Sequence, residues 1–354
     1  MSKSKLFLIS LLVCWANSSF GQSSKSVSGK FDFISGEKII FFDDFTNDPI
    51  GEFPAKWNSN IGGDIVTVDG VEGKWLRMKA SGGNYIPELD VKFPDNVTIE
   101  FDVLINDNAD FAVTYYSEQK YDINSYGVPG EAGSEAMLSW ASPEFKSYST
   151  NESDEGKEIL SSNDQFSLPI NKVTHVSIWI QKSRYRLYLG ADKIFDIPKG
   201  VFPNFVYNRF RFETSNSSSD IFIGNFRIAV GAPDTRNQLI TKGHFSTSGI
   251  LFDVNSDKIK VESYACIKEI AAVLKENTGI KVLIVGHTDS DGDETKNLDL
   301  SKRRANSVKN YLRDEFGVDV STISTDGKGE AEPIAVNTTP EGKVQNRRVE
   351  FIKQ

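Results

Sequence analysis

Two oppositely charged residues of the C-terminal region have the types and spacing needed to hold a small zwitterion. Asp289 follows an apolar run at residues 282–285, and Arg304 lies two turns into the helix predicted after it. Ligand groups in α/β units usually lie at the carboxyl ends of strands, and the returning helix packs alongside. A carboxylate binds an ammonium group, while a planar guanidinium binds a carboxylate through two parallel hydrogen bonds. The sequence therefore predicts a preformed crevice that recognises both charges of one ligand without a cofactor.

This segment also allows two simpler interpretations than a ligand-binding crevice. Asp289 and Arg304 could form an ordinary surface ion pair, which is worth about 0–1 kcal/mol. Asp291 and Asp293 alternate with Asp289 as in a calcium-binding loop. Such a loop needs Gly at its sixth position, where this chain has Glu294. No metal site is therefore expected here.

The elements that must position these charges alternate between strand and helix. The predicted strands are residues 248–252, 282–285 and 347–352, and the predicted helices are residues 261–277 and 297–314. Apolar residues recur at helical spacing in both helical segments, whereas residues 282–285 are apolar throughout, as in a covered strand. This order predicts a small α/β unit, βαβαβ, over residues 248–354, with two helices packed on one sheet.

Four sequence blocks of this region carry a specific resemblance. They are Phe252-Asp253-Val254-Asn255-Ser256, Gly286-His287-Thr288-Asp289, Asn297 with Leu300-Ser301-x-x-Arg304-Ala305, and Asn346-Arg347-Arg348-Val349. In this order they resemble the OmpA-like peptidoglycan-binding domain, which also occurs in peptidoglycan-associated lipoprotein and in flagellar stator proteins. The resemblance covers roughly residues 248–353. It implies non-catalytic binding of the diaminopimelate side chain of the peptidoglycan stem peptide.

The resemblance also implies a role for each matching residue. Asp289 and Arg304 match the pair that holds the free ammonium and carboxylate of diaminopimelate. Flanking pocket positions fall on Asp253, Thr288 and Asn297, and a supporting position falls on Arg347. Lys296 departs from the family, which often has an aromatic residue there, and this affects a contact at the rim.

The region from residue 30 to residue 230 reads as all-β. Short runs with alternating polarity are cut by Gly, Pro, Asn and Asp, which predicts two packed sheets in a sandwich of jelly-roll type. Two features resemble concanavalin-like (laminin-G-like) sandwiches, which often bind glycans. They are the hairpin at residues 174–189 and the segment Asp43-Asp44-Phe45 together with Trp57. Trp140, Trp179 and Tyr188 could stack on a sugar, although a place in the sandwich core or rim is the plainer interpretation. Residues 231–247 are predicted to be a connector.

Some folds of this kind hydrolyse glycans, and this alternative has a testable signature. Glu100 and Asp102 point to one face of a predicted strand, as the acids of glucanases with this fold do. The next acid in that spacing should fall at position 105, where the chain has Ile105. Hydrolysis needs two carboxyl groups at a defined separation, so the broken pattern disfavours an enzyme. His175 is interpreted as a residue of the strand face rather than a base.

The composition excludes several other classes of protein. A length of 354 residues with 39% hydrophobic and 25% charged residues is typical of globular chains and suggests two domains. A net charge of −9 supplies no concentrated basic face, so the sequence disfavours binding of nucleic acid. Three His and two Cys are too few for a typical Cys/His zinc site.

Residues 1–21 are predicted to be a signal peptide. Two lysines precede an apolar run at residues 6–16, which is shorter than the ~20 residues needed to span a membrane. Lipidation of Cys14 is an alternative, but Val13 stands where a lipobox of the bacterial type needs a small residue. Cleavage would leave Cys266 as the only thiol, so the fold must be stable without an internal disulfide.

These features predict an exported, non-catalytic protein at the periplasmic face of the outer membrane of a Gram-negative-type cell. Its C-terminal domain would bind peptidoglycan, and its N-terminal sandwich would contact a glycan or another envelope protein. The remaining alternative is a stator-like motor component, which should keep an uncleaved membrane helix.

Overall fold

A computed structural model describes residues 31–89, 91–125, 127, 129–150, 158–231 and 235–354. The predicted signal peptide at residues 1–21, with Cys14, lies outside these described residues. Within them, no helix has the length and apolar character that crossing a bilayer requires.

The N-terminal region consists of two antiparallel sheets packed face to face. The strands of the first sheet are β1 Lys38–Asp43, β3 Gly63–Val68, β4 Val71–Met78, β6 Asn96–Ile105, β11 Thr174–Gln181, β12 Arg184–Leu189, β13 Asp192–Ile197 and β15 Ile221–Val230. Those of the second are β2 Trp57–Ser59, β5 Asn84–Pro87, β7 Asp110–Ser117, β8 Ala132–Ser139, β9 Glu144–Ser149, β10 Ile159–Ser162 and β14 Arg209–Thr214. The first sheet has the order β13-β12-β11-β6-β15-β4-β3, with β1 paired to β15, and the second has the order β10-β9-β8-β7-β14-β5-β2.

The alternation of residue types in β6 decides which of its faces is buried between the sheets. Val97, Ile99 and Phe101 point into the core and are almost inaccessible to solvent. Glu100 and Asp102 therefore point to the opposite face of the sheet, because successive side chains of a strand alternate. The predicted all-β character of the N-terminal region is confirmed, whereas its jelly-roll topology stays a prediction.

The C-terminal domain is a mixed four-stranded sheet covered by helices. The elements are β16 His244–Thr247, α1 Tyr264–Glu276, β17 Val282–His287, α2 Glu294–Phe316, β18 Ile323–Gly329, α3 Pro340–Asn346 and β19 Val349–Lys353. The sheet order is β16-β19-β17-β18, in which β17 pairs parallel to β18 and antiparallel to β19. A π-helical turn, Asn237–Thr241, and a 3₁₀ turn, Val261–Ser263, precede β16 and α1. The predicted α/β character is confirmed.

Three details of the sequence prediction for this domain are wrong. The first strand is β16 rather than residues 248–252, of which only Phe252 makes an isolated bridge, to Ile259. Much of the predicted connector at residues 231–247 therefore belongs to the sheet and its preceding turn. The prediction also missed α3 and β18. The sequence of β18, ISTDGKG, has one large apolar residue, and its pairing to β17 supplies what local propensity lacks.

Two glycines let α2 lie unusually close to the sheet. A Cβ atom on Gly286 of β17 would lie 2.2 Å from the carbonyl oxygen of Ser301. A Cβ on Gly327 of β18 would lie 2.3 Å from the backbone nitrogen of Lys302. Both contacts are with backbone atoms of α2, so side chains at these positions would push the helix outward. The glycines thus fix the distance between α2 and the end of β17.

We expect Gly286→Ala to destabilise the C-terminal domain by about 1–3 kcal/mol, the usual cost of overpacking. Thermal unfolding followed by circular dichroism at 222 nm measures the change. Gly249→Ala is the matched control, since the nearest atom to its added methyl would be the Thr247 hydroxyl oxygen at 3.2 Å. Equal midpoints for the two variants would contradict the close-packing argument.

The C-terminal domain packs on the outer face of the eight-stranded sheet. Arg227 Nη2 of β15 lies 3.5 Å from Ser248 Oγ, and Lys56 forms an ion pair with Glu341 of α3. A small apolar cluster joins the two domains through Phe31, Phe33, Tyr188 and Ala265. The outward-facing acids of β6 consequently lie on the side of the sandwich that meets the C-terminal domain.

Candidate functional site

Asp289 lies just past the carboxyl end of β17, as predicted, and is buried. Arg347, at the end of α3, donates a hydrogen bond to Asp289 Oδ2. The backbone nitrogen of Asp291 donates to Asp289 Oδ1 at 3.1 Å. Each carboxylate oxygen therefore has one partner already and keeps a further lone pair for a donor from a ligand.

The loop that carries Asp289 is tied to the first turn of α2. Asp293 caps the helix by accepting a hydrogen bond from the Lys296 backbone nitrogen at 3.0 Å, as N-cap residues do. The buried Asn297 amide donates to the backbone oxygen of Asp291 at 3.0 Å and to Glu330 Oε2 at 2.7 Å. In this structure the predicted pocket residue Asn297 therefore holds the loop in place.

Arg304 projects from α2 toward the loop that follows β16. Its Nε donates to the backbone oxygen of Ser256 at 2.9 Å, and its guanidinium lies 4.8 Å from the centre of the Phe252 ring. Within the described chain no carboxylate lies within 4 Å of its nitrogens. Burial, together with the nearby charge of Arg347, lowers the pKa of Arg304 to about 10, so the group stays charged at neutral pH. The outer edge of the guanidinium is available for a carboxylate.

Asp289 and Arg304 are near neighbours that do not pair with each other. Their charges interact, because the Asp289 carboxylate raises the pKa of Arg304 against the larger lowering effect of burial. The carboxylate oxygens of Asp289 and the guanidinium nitrogens of Arg304 are nevertheless more than 4 Å apart. The carboxylate instead pairs with Arg347. A direct ion pair between Asp289 and Arg304 is therefore not what the structure shows, and the two groups remain separate recognition points.

The other two predicted pocket residues differ in exposure. Asp253 lies in the loop below Arg304, and its partly exposed carboxylate is 3.3 Å from the Lys258 ammonium. Thr288 is buried beside Asp289, and its backbone nitrogen donates to Gly329 at 2.9 Å. Its Oγ1 has no hydrogen-bond partner in the part of the chain that the structure describes. The predicted residues other than Asp253 thus cluster around the end of β17.

An ion pair between Glu350 and the buried Arg348 lies next to the site. Glu350 of β19 accepts a hydrogen bond from Arg348 at 2.8 Å and lies 3.6 Å from His287. Interaction with His287 and then with Arg348 lowers the pKa of Glu350 to about 2, although burial opposes the shift. His287 is buried.

The residues that contact the Arg304 guanidinium were not predicted from the sequence to belong to the site. Phe252 supplies a ring face for the guanidinium, and the Ser256 carbonyl fixes its direction. Both lie in the first of the four sequence blocks, which was the only sequence signal for them. Glu330, which accepts a hydrogen bond from Asn297, lies in a segment that no motif marked.

The acids proposed for a hydrolase form an ionic network instead. Glu100 Oε1 lies 3.0 Å from Arg227 Nη1, and Asp102 Oδ1 lies 2.7 Å from His175 Nδ1. Burial opposes ionisation of both acids. Nevertheless, Arg227 and His175 keep the pKa of Glu100 below its ordinary value, and His175 does the same for the pKa of Asp102. Because glycoside hydrolysis needs one protonated carboxyl group beside one carboxylate, lowered pKa values for both acids disfavour this pair as a hydrolase site.

Most of the remaining candidates have structural surroundings. Trp140 is exposed, whereas Trp179 packs edge-on against Phe33 and Tyr188 is buried. Burial raises the pKa of Cys266 to about 12, which makes its thiol unreactive. The described residues contain no cluster of three or more His, Cys, Asp or Glu side chains that could hold a metal ion.

Comparison with known proteins assigns the C-terminal region to a family. A sequence model described as "OmpA family" matches residues 251–347. Outer membrane porin F of Pseudomonas aeruginosa is 43% identical over 101 residues, which are 28% of this chain and 29% of that protein. The probable lipoprotein YiaD of Escherichia coli is 45% identical over 104 residues, 29% of this chain and 47% of that protein. The chain thus spans less than half the length of these relatives.

One solved structure is similar over a larger part of the chain. The carbohydrate-binding module CBM66 from Bacillus subtilis has a TM-score of 0.35 and 16% identity, and the match covers 51% of this chain and 99% of that one.

The family match coincides with the segment that contains all four sequence blocks except their last two residues, and with the site built around β17 and α2. The chain therefore carries an OmpA-family domain at residues 251–347.

Proposed function

We propose that the protein is a non-catalytic cell-envelope protein that binds the stem peptide of peptidoglycan through diaminopimelate. One observation carries the proposal: the guanidinium of Arg304 is charged, has no ion-pair partner among the described residues and stands beside the Asp289 carboxylate. Such an arrangement suits a ligand group that bears an ammonium and a carboxylate on the same carbon.

Each half of the ligand group would have its own partner. The ammonium would donate to Asp289, sharing that carboxylate with Arg347, and the carboxylate would accept two hydrogen bonds from Arg304. Phe252 and Ser256 hold the guanidinium in advance, so little side-chain entropy is lost on binding. No bond is made or broken, and no cofactor takes part.

The flanking residues would act around this pair. Asn297 keeps the Asp289 loop against α2. Thr288 Oγ1, which is buried and has no hydrogen-bond partner among the described residues, would accept a hydrogen bond from the ammonium. Asp253 would contact the peptide at the rim, where its carboxylate is partly exposed. These roles follow the matching positions of the family.

The compartment follows from the same relatives. Both carry envelope names, an outer membrane porin and a probable lipoprotein, which supports an outer-membrane-associated location for this chain. We place the protein at the periplasmic face, where peptidoglycan is accessible. The sandwich would contact a glycan or another envelope protein.

Sacculi that differ in one carboxylate test the proposal. Stem peptides with lysine in place of diaminopimelate keep the ammonium but lack the adjacent carboxylate. We expect the protein to be retained on diaminopimelate-type sacculi and to bind lysine-type sacculi about 10- to 100-fold more weakly, since Arg304 then has no partner. Pull-down at several protein concentrations measures the ratio, and equal retention on both would contradict the proposal.

A further inference from the structure

A cavity of about 250 Å³ lies between the two domains and includes part of the proposed binding site. Arg304, Phe252 and Lys260 line it from the OmpA-family domain, while Asp102 and Arg227 line it from the sandwich. A water molecule occupies about 30 Å³ of liquid, so the cavity can hold a group the size of an amino-acid side chain. The sandwich therefore forms one wall of the pocket.

The charges on the sandwich wall balance one another. Glu100 pairs with Arg227, and Asp102 pairs with His175 and accepts a second hydrogen bond from Asn225 at 2.7 Å. Each acid on this wall is matched by a cation. This wall adds enclosure and polarity to the cavity without a net charge.

The wall from the OmpA-family domain has unmatched positive charge. Arg347 pairs with Asp289, and Arg348 pairs with Glu350. Arg304 and Lys260, by contrast, have no ion-pair partner within 4 Å among the residues that the structure describes. Two unpaired cations that line one cavity, the half-buried Arg304 and the exposed Lys260, favour a ligand with two anionic groups, and burial strengthens the attraction at Arg304 relative to open water.

We propose that Lys260 binds a second carboxylate, so that the interdomain cavity selects stem peptides that end at diaminopimelate. The inference rests on the proposed function. Diaminopimelate carries one carboxylate at each end of its carbon chain, the backbone carboxylate and the side-chain carboxylate. A terminal residue of this type could place the side-chain carboxylate on Arg304 and the backbone carboxylate on Lys260. An internal diaminopimelate has its backbone carboxylate consumed in a peptide bond and offers only the first.

A docking role for Lys260 is the competing explanation. Its charge interacts with Asp102 across the interface, where it helps to lower the Asp102 pKa. If Lys260 acted only in this way, its removal would alter binding of every stem peptide alike. The two roles therefore differ in a ratio between ligands rather than in overall affinity.

Two soluble probes separate these roles: a synthetic stem tripeptide that ends in diaminopimelate, and the same tripeptide amidated at its C-terminal carboxylate. Calorimetric titration of the full chain should show a preference of about three- to tenfold for the free acid. Lys260→Gln should abolish that preference and leave affinity for the amide unchanged. Lys281→Gln, which removes an exposed lysine outside the cavity, should behave as the wild type.

The outcomes also distinguish the inference from the proposed function. Equal affinity of the wild type for the two probes, or an unchanged preference in Lys260→Gln, overturns the role of Lys260 while binding through Arg304 stands. An equal loss for both probes in Lys260→Gln assigns the residue to docking and overturns the inference as well. If the wild type binds neither probe, the proposed function itself fails, and the inference fails with it.

Discussion

Replacing Arg304 by Gln is expected to abolish retention of the full chain on diaminopimelate-type sacculi. Gln keeps a polar side chain but is shorter, and it loses the charge and the paired donors that hold a carboxylate. Removing one partner of a partly buried charged pair at a binding site costs about 2–5 kcal/mol, which corresponds to a loss of affinity of at least about 30-fold. Pull-down with purified sacculi over a range of protein concentrations gives the ratio.

The neighbouring residue supplies a matched control for this experiment. Arg303 is exposed and pairs with Asp299 and Asp257, and its side chain does not line the cavity. Arg303→Gln removes the same charge from the same helix turn and should retain binding. Unchanged binding by Arg304→Gln would refute the proposed pocket. Equal losses in both variants would assign the effect to the net charge of α2 and would refute the pocket as well.

Stability of the sandwich is expected to fall as pH rises from about 6.5 to about 10. Burial opposes charging of His175, but its hydrogen bond to Asp102 and the nearby charge of Glu100, 3.7 Å away, raise its pKa from 6.5 to about 10. A group whose pKa is raised on folding contributes its full stabilisation below the unfolded pKa and loses it as pH passes the folded value. Because a shift of one pKa unit corresponds to about 1.4 kcal/mol, we expect a loss of about 2–5 kcal/mol across this window.

Tryptophan fluorescence during urea unfolding can report this loss for the sandwich specifically. Every tryptophan after residue 21 lies between positions 57 and 179, and the OmpA-family domain has none. His175→Gln should have a lower midpoint at pH 6.5 and a much flatter decline toward pH 10. His244→Gln is the control, since His244 is exposed and lies in the other domain. Parallel pH profiles for the wild type and His175→Gln would show that another group controls the alkaline loss.

The sequence predicted the main helices and the central strand of the OmpA-family domain with small errors at their ends. The helix predicted at residues 261–277 is α1 with its preceding 3₁₀ turn, and the helix predicted at residues 297–314 is α2. These elements have strong local periodicity, which the backbone geometry of a helix imposes on any amphipathic segment. The polar edge strand β18 lacks such a pattern, so its pairing with β17 could be seen only in the folded chain.

The types and chain positions of the candidate binding residues could be determined from the sequence alone. Asp289 follows a buried strand, and Arg304 lies two turns into the next helix, as local spacing requires. The blocks around them also predicted the family that the C-terminal match confirms.

Only the tertiary structure decided which charged groups of the site form ion pairs and which remain available for a ligand. Asp289 pairs with Arg347 across 58 positions of the chain, and the Arg304 guanidinium lies over Phe252. The sandwich closes one side of the pocket with side chains that precede Arg304 by more than 70 positions, such as Arg227 and Asp102. Local spacing constrains only residues within a few turns of one another, whereas these contacts depend on how closely separate elements pack.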